Sequence, residues 1–139
     1  MAKVLAFGTF DILHPGHLSY LKQAKALGNH LVVVVATDKN VERLKGKRPV
    51  NDQEHRKELV EALEIVDEAM VGFEDDMMKS IEVVRPDFVA LGYDQKIPIE
   101  NVEKELSKRG LKAEIKRMYP YNEAKYKSTI IKEKVKKIH

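Results

Sequence analysis

Two histidines three residues apart, His14 and His17, are the side chains in this sequence best placed to do chemistry. Pro15 and Gly16 separate them, and the apolar spacing that follows indicates that the pair stands at the start of a helix. Residues three apart in a first turn lie on the same side, so both imidazoles can donate hydrogen bonds to one ligand. A helix start also directs free N–H groups and the positive end of its dipole outward, which favours phosphate. The pattern predicts stabilisation of charge at a phosphorus atom.

Two other interpretations of this pair are open from the residues alone. The rings could cap or pack against the first turn of the helix without meeting a ligand. They could also hold a metal ion, but no cluster of further ligands accompanies them, so no metal-ligating residues are predicted. Gly16 favours the phosphate interpretation, because a ligand can approach its backbone closely.

The elements around the pair are predicted to be a strand, a turn and a helix. The short apolar run at residues 4–7 fits a buried strand. Apolar side chains then recur at helical spacing from Leu18 to Leu27, and Gly28 stands where a left-handed cap would end the helix. The histidines would therefore follow the C-terminal end of the first strand.

Strands and helices alternate along the rest of the chain. We predict further strands at residues 31–36, 69–73, 88–91 and 113–118, with helices between them and after the last. The second strand is almost pure valine, which is typical of a strand buried on both faces of a parallel sheet. We expect a single α/β domain over residues 1–139: a doubly wound five-stranded parallel sheet of order 3-2-1-4-5, with helices on both faces.

Composition limits the classes of function. Apolar residues make up 43% of 139 residues, enough for one core, and the absence of cysteine excludes disulfides and a thiolate nucleophile. No signal peptide or membrane-spanning run is evident, so we expect a cytoplasmic protein without a membrane partner. The net charge of +3 suits a small anionic substrate as well as nucleic acid.

The residues Gly-Thr-Phe-Asp at 8–11, followed by His-Pro-Gly-His, resemble the signature of the cytidylyltransferase-like nucleotidylyltransferases. In that superfamily the His-x-Gly-His element binds the nucleoside triphosphate and stabilises the transition state. The resemblance implies that His14 and His17 are catalytic. It also implies a set of neighbouring nucleotide-binding residues: Thr9, Phe10, Pro15 and Gly16.

A basic segment at residues 41–49 is predicted to be a loop. It is either a solvated surface or a mobile phosphate-binding loop that closes over a triphosphate. Lysines in this loop often contact phosphates in the superfamily, and Lys45 and Lys47 are the matching positions.

The next helix is predicted to begin with Asn51 as its cap and Glu54 reaching back to it. Arg56 resembles an arginine that the superfamily places near the nucleotide or in a dimer contact. A surface ion pair with Glu58 is the alternative.

Three later positions are candidates for nucleotide binding. Asp94 follows the fourth strand and can accept hydrogen bonds from a ribose or a base, although a plain turn is the alternative. Tyr119 or Tyr121 can stack on a purine. Ser128 and Thr129 precede the last predicted helix, as a cap or as a second phosphate cradle; the superfamily has a Ser/Thr-rich motif here that contacts the β- and γ-phosphates.

The resemblance implies a reaction in which an acceptor's phosphate attacks the α-phosphorus of a nucleoside triphosphate in line and pyrophosphate leaves, with a divalent cation, expected to be Mg²⁺. Residues 9–17, 44–49 and 91–95 are most similar to the archaeal branch that transfers AMP from ATP to FMN. The alternative is the branch that transfers CMP from CTP to glycerol 3-phosphate. A homodimer is expected by resemblance only.

Two other classes of protein are open. A nucleotide sensor with this fold would bind ATP without releasing pyrophosphate, and the intact histidine pair argues against it. A nucleic-acid binder would use the lysine-rich C-terminal segment and bind with a steep salt dependence. The near balance of charges, 25 basic against 22 acidic residues, argues against that class.

Overall fold

The structure is a computed structural model that describes residues 2–120. The strands β1 to β5 of this part of the chain are Lys3–Gly8, His30–Val35, Glu68–Val71, Phe88–Leu91 and Glu114–Arg117. Its helices α1 to α5 are Pro15–Lys25, Asp38–Lys45, Gln53–Glu61, Lys79–Val84 and Ile99–Lys108. The predictions for Tyr121, Ser128, Thr129 and the last helix lie outside the described residues.

The strands form one parallel sheet of order β3-β2-β1-β4-β5, which confirms the predicted topology. Pairing of β1 with β2 continues to the Gly8–Val35 pair, whereas pairing of β1 with β4 stops at the Ala6–Ala90 pair. The sheet therefore opens between β1 and β4 beyond Ala6. This opening is the switch point, where open α/β sheets bind ligands.

Helices cover both faces of the sheet because successive strand residues point to opposite sides. On β1, Val4 and Ala6 pack in a cluster with residues of α1 and α3, while Leu5 and Phe7 pack in a cluster with residues of α4 and α5. The valine run of β2 divides between the same two clusters, as a strand buried on both faces requires. Residues 2–120 contain no helix long and apolar enough to cross a membrane.

The prediction of a basic loop at residues 41–49 is wrong in its first half, because α2 extends to Lys45. The Thr37 hydroxyl accepts a hydrogen bond from the Asn40 N–H and caps the helix, and Gly46 ends it in the left-handed conformation, with φ 78°. Only the segment after Gly46 is irregular.

The predicted starts of α3 and α4 are also corrected. Asp52, not Asn51, caps α3, since its carboxylate accepts a hydrogen bond from the His55 N–H (2.8 Å). The acidic residues Asp75 and Asp76 predict a helix start directly after the third strand, but α4 begins at Lys79.

Candidate active site

The structure brings the two imidazoles together at the start of α1. The rings of His14 and His17 stack, with their centroids 3.9 Å apart and their planes at 27°. Both rings line one cavity at the C-terminal end of β1. The spacing in the sequence thus predicted that the rings share one side of the turn, and the tertiary structure places open space beside them.

Both rings also cap the helix that carries them. His14 Nδ1 accepts a hydrogen bond from the Gly16 N–H (3.0 Å), and His17 Nδ1 accepts one from the His14 N–H (3.3 Å). The first of these bonds uses the Gly16 N–H, one of the free helix N–H groups that the sequence predicts to bind phosphate. The two bonds also leave Nε2 as the protonated nitrogen of each neutral ring. Each ring can therefore cap the helix and still donate one hydrogen bond from Nε2 to a ligand.

The surroundings of His17 keep its ring neutral. Burial, the neighbouring His14 and the positive charge of Lys45 lower the pKa of His17 to about 4, while the carboxylate of Asp94 opposes this shift. At neutral pH the ring is a neutral donor and brings no positive charge of its own. Lys45, whose positive charge acts on His17, lines the same cavity.

Phe10 supports the histidines from the core. Its side chain is 2% exposed, and its ring lies edge-on to His17 (centroids 5.3 Å apart) and parallel to Tyr20 (6.3 Å). Its backbone has φ 52°, an uncommon conformation for a bulky residue. Gly8 leaves room for this arrangement, because a Cβ there would lie 2.4 Å from the Phe10 ring. The Phe10 ring is thus a packing support, while its segment borders the cavity.

Two side chains that the sequence analysis missed fill the opening between β1 and β4. The Tyr20 hydroxyl accepts a hydrogen bond from the Phe7 N–H (3.2 Å) and donates one to the Ala90 carbonyl (2.7 Å). The Gln95 amide donates to the Phe7 carbonyl (2.7 Å) and accepts from the Gly92 N–H (2.9 Å). These bonds satisfy the peptide groups of Phe7 where strand pairing ends. Burial raises the pKa of Tyr20, so its hydroxyl stays protonated.

Arg117, at the end of β5, fastens the loop that carries Asp94. Its guanidinium donates to the carbonyls of Gly92 (3.1 Å), Gln95 (2.8 Å) and Ile97 (2.6 Å). Asp94 lies within this loop, lines the cavity and acts on His17 through its charge. The sequence suggested Asp94 but gave no indication of the arginine that positions it.

Asp11, the last residue of the first motif, holds the segment that follows α2. Its carboxylate accepts hydrogen bonds from the N–H groups of Val50 (2.7 Å) and Asn51 (2.8 Å). Partial burial alone would raise the pKa of this carboxyl, but these two bonds and the charges of Arg56 and Lys45 lower it. Asn51, predicted to be a helix cap, instead donates its side-chain N–H to the Asp11 carbonyl (2.6 Å).

Arg56 is fully buried, so the predicted alternative of a surface ion pair with Glu58 is wrong. Its guanidinium donates to the carbonyls of Thr9 (2.8 Å) and Asn51 (2.9 Å) and to the Asp38 carboxylate (2.8 Å). One side chain thereby connects the first motif with the start of α2 and with the residues just before α3. Arg56 acts on the site by positioning these segments.

The cavity has a volume of about 1170 Å³. Its wall contains every predicted site residue in the described part of the chain except Lys47: Thr9, Phe10, His14, Pro15, Gly16, His17, Lys45 and Asp94. Tyr119 also lines it, whereas Lys47 is exposed in the irregular segment after α2. Residues 2–120 contain no group of three or more side chains that could hold a metal ion.

A comparison with protein-family models matches residues 5–134 to the model described as "Cytidylyltransferase-like". The chain therefore belongs to the cytidylyltransferase-like family. Its fold and its histidine pair agree with the resemblance seen in the sequence.

Curated relatives that are similar over most of the chain are named "FAD synthase". The protein from Methanosarcina barkeri is 49% identical over 139 residues, covering 99% of each chain. The one from Ferroglobus placidus is 52% identical over 118 residues, covering 85% of this chain and 76% of the relative.

Solved structures agree on the fold. The protein from Thermoplasma volcanium described as a "lipopolysaccharide core biosynthesis protein" is 45% identical, with a TM-score of 0.82, and covers 87% of this chain and 98% of its own. A pantoate-beta-alanine ligase from Francisella tularensis is 14% identical, with a TM-score of 0.61, covering 84% of this chain and 58% of its own. At that identity the second likeness concerns the fold alone.

Proposed function

We propose that this protein is a nucleotidylyltransferase that transfers AMP from ATP to FMN, giving FAD and pyrophosphate. The observation that carries the proposal is the set of archaeal relatives named FAD synthase, which are 42% to 52% identical over most of the chain. The stacked histidines at the switch point support it, since they supply donors where charge changes in a phosphoryl transfer.

In the proposed reaction a phosphate oxygen of FMN attacks the α-phosphorus of ATP in line. A new P–O bond forms, the bond from the α-phosphorus to the bridging oxygen breaks, and pyrophosphate leaves with the electron pair. His14 and His17 would donate Nε2–H hydrogen bonds to the phosphate oxygens as charge moves toward the leaving group. The capping bonds fix both rings and their tautomer before the substrate arrives.

Lysines and a divalent cation would balance the charge of the triphosphate. Lys45 is the cation in the cavity wall that also acts on His17 and Asp11 through its charge. Lys47 would join it when the segment after α2 closes over the phosphates, and Ser128, Thr129 and Tyr121 are proposed to complete the nucleotide site. Mg²⁺ fits as an ion held chiefly by the phosphates and water, as is usual for this metal.

The size and lining of the cavity favour FMN over glycerol 3-phosphate. Pockets for one drug-sized ligand measure roughly 300–1,000 Å³, and the cavity of about 1170 Å³ exceeds this range. Phe73, Met77 and Met78 form an apolar part of its wall. A flat flavin ring would bury apolar surface against them, whereas glycerol 3-phosphate has only a short polar chain.

The test is an incubation of the protein with ATP or CTP against FMN, glycerol 3-phosphate and a few other phosphate monoesters. We expect pyrophosphate and FAD only from ATP with FMN. His17→Ala, purified in the same way, is the control for contaminating activity and should lose the signal. Pyrophosphate release from CTP and glycerol 3-phosphate would replace the proposal with the alternative branch, and ATP binding without any release would favour a sensor.

A further inference from the structure

Asn40, in α2, has a buried side-chain oxygen without a hydrogen-bond donor. The residue is 3% exposed, and its Oδ1 has no partner within residues 2–120. Its Nδ2 donates to the Phe73 carbonyl (3.1 Å), which fixes the orientation of the amide. A buried acceptor left without a donor is costly, so a bound molecule that supplies one would be favoured.

Asn40 lies in the wall of the same cavity as the histidines. The cavity wall also includes the apolar side chains of Val34, Phe73, Met77 and Met78, and the polar Thr37, whose hydroxyl accepts from the Asn40 N–H. The proposed function uses Phe73, Met77 and Met78 only as an apolar wall and gives Asn40 no role. They belong to the β2–β3 side of the cavity, whereas Asp94 follows β4 on the other side of β1.

The side chains of this wall indicate which kind of ligand would bind there. A flat, largely apolar ring suits the phenyl and thioether side chains, and a single N–H donor at its edge suits the Asn40 oxygen. Phosphates and glycerol do not combine these properties, but the isoalloxazine ring of FMN has an imide N–H at the edge of a flat ring. Adenine offers an amino group, but the sequence predicts the nucleotide at Asp94, whose carboxylate can accept hydrogen bonds from a ribose or a base.

We propose that Asn40 Oδ1 accepts a hydrogen bond from the imide N–H of FMN, whose ring packs against Phe73, Met77 and Met78. This inference rests on the proposed function and names the residues that select its acceptor. Asn40 Oδ1 is covered in the cavity without a ligand, so the wall shifts when the ring enters. The flexible methionine side chains permit that shift.

The test compares FMN with the analogue methylated at the imide nitrogen, which lacks the donor. With the unchanged protein and saturating ATP, the analogue should have a KM about tenfold higher than FMN, as expected for one lost hydrogen bond and an unpaired acceptor. In Asn40→Ala the KM for FMN should rise by a similar factor, and the difference between the two flavins should vanish.

Asn101→Ala is the matched control, because Asn101 is the other asparagine that residues 2–120 contribute to the cavity wall. This variant should retain the tenfold preference for FMN. Equal KM values for the two flavins in the unchanged protein would overturn the inference, and that comparison needs no variant to fold. Loss of the preference in Asn101→Ala but not in Asn40→Ala would also overturn it.

Two further measurements separate this inference from its alternatives. If Asn40→Ala raised the KM for ATP and not for FMN, the wall would bind adenine and the inference would be wrong. If the unchanged protein transferred no AMP to FMN, the proposed function would fail. Quenching of FMN fluorescence would then still test the ring site, because binding of FMN in preference to the methylated analogue would support it and equal binding would refute it.

Discussion

Replacing Arg56 by lysine tests how much of the site depends on one buried side chain. The guanidinium makes three hydrogen bonds of 2.8 to 2.9 Å, to the carbonyls of Thr9 and Asn51 and to Asp38. A lysine keeps the charge but cannot span three acceptors with one ammonium group. Loss of two charge-assisted bonds, at about 1.5–3 kcal/mol each, implies a decrease of about 3 kcal/mol or more in the free energy of unfolding. The free energy of unfolding of a typical domain is only about 5–15 kcal/mol, so this decrease would be a large fraction of it.

The assay is equilibrium denaturation with urea, analysed by the midpoint and slope. Arg48→Lys is the matched control, since Arg48 makes an exposed ion pair with Glu42 and should change the unfolding free energy by under about 1 kcal/mol. Arg56→Lys should also raise the KM for ATP, because the Thr9 carbonyl loses the hydrogen bond that holds its segment beside the cavity. If Arg56→Lys were no more destabilising than Arg48→Lys, the network around Arg56 would not contribute as described.

Four further predictions concern the site directly. The pKa of His17, followed by NMR, should be near 4 and should rise in His14→Ala; a midpoint near 6.5 would refute the described environment. Because the unfolded chain binds this proton more readily, the contribution of His17 to stability is complete above pH 6.5 and is lost as the pH falls toward 4. His17→Ala should leave the melting temperature within a few degrees and lower turnover by roughly 10²–10³-fold; near-normal turnover would remove its catalytic role. Lys45→Ala should raise the KM for ATP about tenfold, and an unchanged affinity for ATP would make Lys45 a surface residue. Tyr20→Phe should cost about 1–3 kcal/mol of unfolding free energy, because the Phe7 N–H and the Ala90 carbonyl lose their partner; an unchanged midpoint would contradict that account.

The fold was predictable because its signals are local. Alternating runs of strand and helix and an almost all-valine second strand each act within a few residues, and right-handed crossovers then restrict the sheet to few orders. The errors fall at helix boundaries. Gly28 does not end α1 in a left-handed conformation, because the helix ends at Lys25 and its right-handed cap is Ala26. At the start of α3, neighbouring polar residues compete for the same role. Asp52 caps α3, since Asn51 is drawn away by Asp11, 40 residues earlier in the chain.

Some features of the candidate site also follow from local sequence, whereas others depend on distant contacts. The sequence alone determined that His14 and His17 share one turn of helix, because three-residue spacing fixes it. Only the tertiary structure decided that charged Arg56 is buried, that Arg117 holds the Asp94 loop and that the Asn40 oxygen is buried without a partner among residues 2–120. Each of these depends on contacts between segments far apart in the chain, and a side chain's polarity gives no indication of which distant carbonyls the fold will bring to it.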